Sequence, residues 1–238
     1  MKRGRSVTIR GATGGTGSAI LRRSLAAGDD VTVLVRDCTR LPYPAGGIRV
    51  VVGDATDPEA VATVVDGSDV VFSAIGRRPA VLPTRHVSVC EQASANVIRA
   101  VGDQLQRRYV VVSSTGMHHP KDRGFKPWER LINSVLRHAY RADFIDRDRE
   151  AVLLEASALN WTLIRPSMLV GGEAGRYAVH RERIVGPWTT REAVADFAMR
   201  VSNDPSYERV APFMSSWYPA ARPTLAGLTE YIGSDLPN

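Results

Sequence analysis

The first half of the chain alternates between short valine-rich runs and stretches of helical character. The runs are apolar in their centres, as strands buried on both faces of a sheet should be. The stretches between them, at about 16–27, 58–65 and 85–105, are long enough to cross from one parallel strand to the next. This order predicts an α/β fold with a doubly wound parallel sheet and helices on both faces. The runs are SVTIR (6–10), DVTVLV (30–35), IRVVVG (48–53), DVVFSA (69–74) and YVVVSS (109–114).

The second half of the chain is less regular. It predicts one or two amphipathic helices, a sixth strand, a further helix and a candidate last strand. No internal repeat or linker interrupts it, so we expect one domain over 1–238, in which residues from about 166 onward cover the substrate side. The four segments are the Arg-rich stretch 128–157, NWTLIRP (160–166), TTREAVADFAMRVSND (189–204, with Thr189 or Thr190 as N-cap) and RVAPFM (209–214).

Charge and cysteine content restrict the partners of this chain. Its 238 residues carry a formal net charge of +6, which suits either nucleic acid or an anionic ligand. The basic residues are spread out without interleaved aromatic residues, so an anionic cofactor is favoured and no nucleic acid is expected. Cys38 and Cys90 have the spacing of neither a zinc site nor a disulfide framework. We therefore expect no metal.

The hydropathy pattern indicates a cytoplasmic protein. No apolar run approaches the roughly 18 residues that a membrane helix needs, so no membrane partner is expected. The basic start, MKRGRSVTIRG, has too short an apolar part for a signal peptide. A monomer and a homodimer both remain open.

Four glycines fall within a short segment directly after the first predicted strand. A tight turn needs a residue that tolerates positive φ, a second glycine lets backbone approach a pyrophosphate, and a third lets the helix pack close to the sheet. The helix then directs its free N–H groups and the positive end of its dipole at the diphosphate. Because the motif follows a strand and opens a helix, it indicates dinucleotide binding rather than a turn without a ligand. The glycines of this segment, GATGGTG, are Gly11, Gly14, Gly15 and Gly17.

The end of the second strand indicates which dinucleotide is bound. An acidic residue there accepts hydrogen bonds from the ribose 2′-hydroxyl, whereas a basic residue accommodates a 2′-phosphate. Arg36 ends this strand, and Arg40 follows a short turn later. A guanidinium–phosphate hydrogen bond contributes about 1.5–3 kcal/mol. NADP(H) is therefore predicted over NAD(H). NAD(H) stays open as the alternative, because Asp37 follows Arg36 and could accept hydrogen bonds from a 2′-hydroxyl.

The ends of the third and fourth strands supply groups to the same crevice. Asp54 would meet the adenine through its carboxylate and the next backbone N–H. Ala74 and Gly76 are small enough to let backbone approach the middle of the cofactor, and Arg77 or Arg78 could reach a phosphate. Open α/β sheets bind ligands in this crevice, so the strand ends together support a dinucleotide site.

Six segments together resemble the atypical short-chain dehydrogenases. Within that group they are most similar to the flavin reductase (biliverdin reductase B) branch and its NAD(P)H-binding, NmrA-like relatives. The likeness runs from about residue 5 to 200, and it implies a Rossmann-type fold that binds a nicotinamide dinucleotide. The segments are GATGGTG, VTVLVRDCTRLP, VVVGDATD, SAIGRR, VVVSSTG and WTLIRPSML.

The resemblance also implies where individual residues lie along the cofactor. The glycine-rich loop would hold the pyrophosphate, Arg36 and Arg40 the 2′-phosphate, and Asp54 and Ala55 the adenine. Other residues would line the cofactor's middle, lie beside the nicotinamide or close over its carboxamide. These sets are Gly11, Thr13, Gly14, Thr16 and Gly17 for the pyrophosphate; Ile75, Gly76 and Arg78 for the middle; Ser113, Ser114 and Thr115 beside the nicotinamide; and Pro166, Ser167 and Met168 over the carboxamide.

One feature of the ordinary short-chain dehydrogenases is absent. They use a Tyr-x-x-x-Lys pair, in which the lysine lowers the pKa of the tyrosine so that it can donate or accept a proton. Here Tyr140 is followed four residues later by Phe144, and Tyr177 by Arg181. The flavin reductase branch also lacks the pair, and Ala151 stands where that branch carries a histidine. Hydride transfer would then rest on proximity and orientation, which contribute up to about 7–11 kcal/mol.

Two hydroxyls and two histidines are candidate groups for assisting the reaction. Ser114 and Thr115 are the catalytic candidates, because either could donate a hydrogen bond to an acceptor oxygen; capping of the fifth strand is the alternative for both. His118 and His119 could donate a proton or bind a metal, but a solvated loop is favoured for them.

These observations predict an NADPH-dependent oxidoreductase that transfers hydride to a planar conjugated acceptor of flavin, quinone or related carbonyl type. Such acceptors need little protonation by the protein. Two alternatives stay open. One is a non-catalytic NADP-binding redox sensor of the NmrA type, and the other is an isomerase, cyclase or epimerase of specialised metabolism that retains NADP.

Overall fold

The computed structural model describes residues 4–43, 46–76, 88–102, 104, 107–122, 134, 137–138 and 140–216. The strands are β1 (Ser6–Arg10), β2 (Asp30–Val35), β3 (Ile48–Val52), β4 (Val70–Ser73), β5 (Arg108–Val112), β6 (Asn160–Pro166), β7 (Met168–Val170), β8 (Tyr177–His180), β9 (Trp188–Thr190) and β10 (Phe213–Ser216). The helices are α1 (Gly15–Ala26), α2 (Pro58–Val65), α3 (Val89–Val101), α4 (Arg141–Ala156) and α5 (Arg191–Val201).

Eight of the described strands form one sheet in the order β3-β2-β1-β4-β5-β6-β10-β8. Neighbouring strands are parallel except at the edge, where β8 runs antiparallel to β10. The chain adds β2 and β3 on one side of β1 and then returns to add β4, β5 and β6 on the other. This reversal opens a crevice above the carboxyl ends of β1 and β4, where open α/β sheets bind ligands. The predicted Rossmann-type α/β fold is confirmed.

Helices cover both faces of the sheet. On one face α1 and α5 pack on the central strands, and Ile20 and Val194 belong to the same buried apolar layer as Ile9 of β1. On the other face α2, α3 and α4 surround a second apolar layer that contains Val97 and Trp161. All five side chains are fully buried. Burial of each contributes about 1.5–3 kcal/mol, so the two layers hold the sheet edge that forms the crevice.

Helices α1 and α5 lie side by side and run in the same direction. Gly15 lies beside Arg191 at their first residues, and Ser24 donates a hydrogen bond to Met199 near their last turns. Ion pairs from α1 to Glu192 and Asp196 link the helices between these points; one joins Arg23 to Asp196 at 3.0 Å. Such half-exposed pairs contribute at most about 1 kcal/mol each. They do fix the register of the two helices.

Several predicted boundaries change in the structure. The predicted strand 209–214 is wrong in its extent, because β10 begins only at Phe213. Arg209 adopts a positive φ of 56°, and Pro212 has no N–H to donate to a neighbouring strand. Of the two N-cap candidates it is Thr190 that caps α5, through a hydrogen bond from the N–H of Ala193 at 3.1 Å.

The predicted helical stretches 85–105 and 128–157 can be compared with the structure only over the described residues. Helix α3 is shorter than the predicted 85–105, and α4 accounts for 141–156 of the predicted 128–157; residues 85–87 and 128–133 lie outside the described residues. Among the described residues, no helix is long and apolar enough to cross a bilayer. The single domain over 1–238 stays a prediction.

Candidate functional site

The glycine-rich turn after β1 depends on the absence of side chains. Gly11 adopts a φ of +84°, and a Cβ there would lie 2.6 Å from the carbonyl oxygen of Ala74. A Cβ on Gly17 would collide with the carbonyl of Gly11. The N–H of Gly14 donates to that same carbonyl at 3.0 Å and closes the turn. Gly11 is therefore needed for the turn, and Gly17 for the close approach of α1.

The first turn of α1 presents uncapped N–H groups. Gly14 is the N-cap residue and has no side chain that could accept a hydrogen bond, and the first turn contains no acidic residue. The first intrahelical bond runs from the N–H of Ser18 to Gly14, so the N–H groups of Gly15, Thr16 and Gly17 precede any helical acceptor. These groups, together with the dipole, fit an anion such as a diphosphate.

A second element reaches this turn from α5. A Cβ on Gly15 would lie 2.6 Å from Cδ and 2.9 Å from Nε of Arg191. The half-buried Arg191 side chain therefore packs directly on the first residue of α1. The sequence pattern does not distinguish this residue, since its one signal is its place after the N-cap of a helix far along the chain.

At the end of β2 the two charged candidates differ in what they contact. Arg36 and Arg40 are exposed. The carboxylate of Asp37 instead accepts hydrogen bonds from the hydroxyl and the N–H of Thr39, at 2.6 and 2.9 Å. These bonds hold the pKa of Asp37 below its usual value. Asp37 thus caps the short turn at Cys38–Arg40.

The end of β3 carries a similar turn. The Asp54 carboxylate accepts from the N–H and the hydroxyl of Thr56, at 2.8 and 2.7 Å. Both bonds, and more weakly the charge of Arg36, lower the pKa of Asp54. One Asp54 oxygen is thereby engaged, and the ionised carboxylate lies near Arg36. The structure thus brings together the two strand ends to which the adenosine half of the cofactor was assigned.

Arg10, the last residue of β1, is fully buried beneath this region. Its Nη2 donates to the carbonyls of Ala93 and Ala55, at 2.9 and 3.3 Å, and its Nη1 donates to the Tyr109 hydroxyl at 3.2 Å. A buried guanidinium requires such acceptors. Arg10 therefore fixes the loop that contains Ala55. The sequence pattern does not distinguish Arg10, because a charged residue at a strand end is ordinarily exposed.

The hydroxyls at the end of β5 have different surroundings. The Thr115 hydroxyl donates to the carbonyl of Arg165 at 3.3 Å. A hydrogen bond to the backbone at the end of β5 was the alternative to a catalytic role for this residue. The Ser114 hydroxyl accepts a 3.3 Å bond from the N–H of Gly116, and its own proton can still be donated. The Ser113 side chain is buried, and its oxygen has no hydrogen-bond partner among the described residues. Ser113 and Ser114 are thus the hydroxyls available beside this strand end.

The segment after β6 joins the main sheet to the small sheet of β7 and β9. Ser167 donates its N–H to the Thr189 hydroxyl at 3.0 Å and its own hydroxyl to the carbonyl of Gly186. Pro166 is buried, while Met168 is 39% exposed. Ser167 therefore links the end of β6 to Gly186 and to Thr189 of β9. Of Pro166, Ser167 and Met168, it is Met168 that has an accessible side chain.

A buried cluster on α4 lies under the end of β4. Arg147 donates through Nε to Asp143 at 3.2 Å and through Nη1 to the carbonyl of Val112 at 3.5 Å. A Cβ on Gly76 would lie 3.0 Å from Nη2 of the same guanidinium. Burial raises the pKa of the neighbouring Glu150 to about 6. The lack of a side chain at position 76 thus makes room for the Arg147 guanidinium.

The two adjacent histidines are separated by the fold. The expected solvated loop is wrong for His119, which is 8% exposed. Its Nδ1 accepts from the N–H of Lys121 at 3.3 Å, and its Nε2 lies 3.3 Å from a Glu155 oxygen. Burial, with the nearby charge of Arg165, lowers the pKa of His119. It therefore has a packing role, whereas His118 is exposed.

Some site predictions stay untested. Arg77 and Arg78 lie outside the described residues. Thr13 is half-buried in the glycine-rich turn, and Ile75 is half-buried after β4. Among the residues that the structure describes, no group of three or more His, Cys, Asp or Glu side chains could hold a metal ion.

Comparison with known proteins identifies the family. Residues 11–205 match the profile of a family described as NAD(P)H-binding, and this chain belongs to that family. Averufin oxidase stcO of Emericella nidulans is 28% identical over 189 residues, which cover 69% of this chain and 62% of that protein. The chain thus spans about 62% of the length of the curated relative that it matches.

Solved structures share the fold. ChuY, an anaerobilin reductase from Escherichia coli O157:H7, has a TM-score of 0.73 at 19% identity, over 92% of this chain and 100% of its own. A short-chain dehydrogenase/reductase from Veillonella parvula in complex with NADP has a TM-score of 0.72 at 19% identity, over 93% and 99%. At these identities the likeness shows the fold.

Proposed function

We propose that this protein is an NADPH-dependent oxidoreductase that transfers hydride to a planar conjugated acceptor of flavin, quinone or related carbonyl type. The observation that carries the proposal is the uncapped first turn of α1, which faces the crevice between β1 and β4 and fits the diphosphate of a dinucleotide. Membership of the NAD(P)H-binding family supports this use of the turn. The names of an averufin oxidase and an anaerobilin reductase support redox chemistry.

NADPH is proposed over NADH because of the partners at the end of β2. One oxygen of the Asp37 carboxylate is occupied by Thr39, and the exposed guanidinium of Arg36 stands beside it at the end of β2. A guanidinium accepts no hydrogen bond from a 2′-hydroxyl but binds a phosphate dianion through charge-assisted bonds. The NADP complex of a protein with the same fold is consistent with this choice.

The chain's own part in the reaction is to bind and orient. Bound NADPH supplies the hydride. The glycine-rich turn would hold the diphosphate, and β7 with β9 would exclude water from the nicotinamide side. The Ser114 hydroxyl would donate a hydrogen bond to an oxygen of the acceptor, since Thr115 is committed to the Arg165 carbonyl. A hydroxyl is a weak acid, which suits acceptors that need little protonation.

The test combines purified protein, NADPH and a panel of flavins, quinones and simple carbonyl compounds, and follows the absorbance of the reduced nicotinamide. Turnover is expected with the ring acceptors. Ser114→Ala should reduce kcat, whereas the matched variant Thr115→Val should not. Tight NADPH binding without turnover on any acceptor would overturn the proposal and favour the sensor. Conversion of a substrate without net NADPH consumption would favour the isomerase, cyclase or epimerase.

The remaining expectations stand as proposals of the same kind. They are a cytoplasmic location, a monomeric or homodimeric state, and a small planar molecule as the partner rather than nucleic acid or a membrane. Light scattering coupled to gel filtration measures the oligomeric state directly.

A further inference from the structure

Asp143 and Arg147 lie one turn apart on α4 and form an ion pair, with 3.2 Å between Nε of Arg147 and Oδ2 of Asp143. The same guanidinium reaches the ends of two strands. Its Nη1 lies 3.5 Å from the carbonyl oxygen of Val112 on β5, and its Nη2 would lie 3.0 Å from a Cβ on Gly76, which follows β4. The pair is therefore fixed between α4 and the carboxyl ends of β4 and β5, at the crevice.

Each member of this pair keeps one polar group without a protein partner. Oδ1 of Asp143 is buried and has no hydrogen-bond donor among the described residues. Nη2 of Arg147 likewise donates to none of them. Because Nε and Nη2 form one edge of a guanidinium, the free oxygen and the free nitrogen lie on the same side of the pair. Buried polar groups are nearly always hydrogen-bonded in folded proteins, so these two groups indicate a ligand.

A third polar group on the same face of the sheet supports a ligand site. Ser113 follows Val112 directly and is 4% exposed, and its hydroxyl has no hydrogen-bond partner in the part of the chain that the structure describes. Tyr109 and Val111 of β5 belong to the apolar layer that α3 and α4 cover. Side chains alternate along a strand, so the Ser113 hydroxyl lies on that face as well, toward α4.

The other buried carboxylates of α4 are bound to α3. Asp146 accepts hydrogen bonds from the N–H groups of Cys90 and Glu91, at 2.9 and 3.0 Å, and so caps the start of α3. Glu150 accepts a hydrogen bond from a hydroxyl of α3 at 2.6 Å. These two carboxylates hold α3 against α4. Asp143 has no such bond to α3 among the residues described, so a structural role in joining the helices does not account for it.

We propose that Asp143 and Arg147 bind a ligand group that presents a hydrogen-bond donor beside an acceptor. Oδ1 of Asp143 accepts one hydrogen bond and Nη2 of Arg147 donates the other, while Arg147 positions the carboxylate. Two parts of the ligands proposed for this crevice carry that chemistry. One is the diol of the ribose next to the nicotinamide, and the other is the imide edge of a flavin-type acceptor. The inference rests on the proposed function, because it assigns a role within the same crevice.

The first arm of the test compares NADPH with 2′,5′-ADP, which lacks the nicotinamide ribose. In Asp143→Asn the one remaining oxygen stays with Nε of Arg147, and an amide nitrogen, which cannot accept a hydrogen bond, replaces Oδ1. If the diol is the ligand, calorimetry should show NADPH bound about tenfold or more weakly by this variant, as loss of a hydrogen bond to a charged group predicts. Binding of 2′,5′-ADP should not change.

The second arm compares riboflavin with 3-methylriboflavin, in which a methyl group replaces the imide N–H. Quenching of flavin fluorescence by the NADP⁺-loaded protein measures binding without any turnover. If the imide edge is the ligand, the unmodified protein should bind riboflavin about tenfold or more tightly than the methylated form. Asp143→Asn, which has nearly the same size, should reduce this preference to about twofold or less, whereas a merely steric effect of the methyl group would persist.

The matched control is Asp148→Asn on the same helix. Asp148 pairs with Arg137 at 2.6 Å, so this variant removes a carboxylate and leaves the Asp143–Arg147 pair intact. Both arms should then give the values of the unmodified protein. Arg147→Lys tests the positioning role, because a single ammonium lacks the fork that holds Asp143 and the Val112 carbonyl together. It should change the same arm as Asp143→Asn, and an unchanged arm would overturn the role given to Arg147.

The outcomes separate this inference from the proposed function. The predicted change in either arm supports the pair as a ligand site and identifies the group that it binds. If Asp143→Asn changes neither arm, or weakens NADPH and 2′,5′-ADP equally, the inference is wrong and an ordered water is the partner of these polar groups. Normal binding without turnover on any acceptor would overturn only the oxidoreductase activity. If the unmodified protein binds none of these ligands, both proposals fail.

Discussion

An ion pair joins Arg165 on β6 to Asp122 in the loop after β5. This pair should contribute far more to the free energy of unfolding than an exposed ion pair in a loop does. Arg165 is 1% exposed, and its Nη1 lies 2.7 and 2.8 Å from the two carboxylate oxygens of Asp122. The guanidinium also stacks 3.6 Å from the ring centroid of Phe213, and its Nε donates to the carbonyl of Ala211. Asp122→Asn would leave this buried cation without its counter-charge.

Removing one partner of a buried pair destabilises a protein by about 3–5 kcal/mol. We expect about 3 kcal/mol for Asp122→Asn, since the contacts of Arg165 with Ala211 and Phe213 remain. At about 2–4 °C per kcal/mol for a chain of this size, the Tm should fall by roughly 6–12 °C. Urea unfolding followed by circular dichroism measures the free energy directly.

The matched control is Glu192→Gln, which breaks the half-exposed pairs to Arg22 and Arg23. It should cost at most about 1 kcal/mol, because solvent screens such pairs. Adding Arg165→Met to Asp122→Asn should cost no further stability, since no uncompensated charge is then buried. The reasoning is refuted if Asp122→Asn proves no more damaging than Glu192→Gln.

Three further predictions concern the cofactor, the buried cluster and the turn. Arg36→Ala should weaken NADPH about tenfold or more and NADH less than about twofold, since it removes a phosphate contact; equal losses measured by calorimetry would remove the reason for preferring NADP(H). Glu150 has a pKa of about 6 in the folded protein against 4.5 in the unfolded chain, so the folded state binds the proton more tightly. Its contribution to stability is therefore fully present below pH 4.5, and about 2 kcal/mol is lost as the pH rises through 6. Urea titrations at pH 4.5 and 7 should show this loss in the unmodified protein relative to Glu150→Gln, and parallel pH profiles would contradict it. Gly17→Ala should lower the free energy of unfolding by about 1–3 kcal/mol, because its Cβ meets the Gly11 carbonyl; an unchanged urea midpoint would show that α1 can move away.

The sequence predicted the parts of the fold that depend on local pattern. Valine-rich runs separated by helices specify parallel strands buried on both faces, so β1 to β6 were found within one or two residues. Strands β7, β8 and β9 were not predicted, because each is short and none follows a helix in the alternating order that marks β2 to β6. Their pairing depends on contacts distant in the chain, such as that of Met214 with Val179.

The candidate site was predictable where glycine or a strand end marks it. The roles of Arg10, Arg165 and Arg191 were not, because each acts on groups far away in the sequence. Arg10 contacts Tyr109, 99 residues along the chain, and Arg165 contacts Asp122, 43 residues back. A charged residue next to a strand looks the same in the sequence whether it faces solvent, a ligand or a buried carboxylate.

The position of β10 in the sheet has a consequence for the order in which the molecule is assembled. Among the described residues, β8 reaches the main sheet only through β10, which is made more than thirty residues later. The Met214 carbonyl on β10 also accepts hydrogen bonds from Ser167, which precedes β7, and from Thr189 of β9. A nascent chain that has not yet emerged as far as residue 216 can therefore pair β1 with β2 and β4, but it cannot yet join β8 to the main sheet or complete the hydrogen bonds of Ser167 and Thr189 to β10.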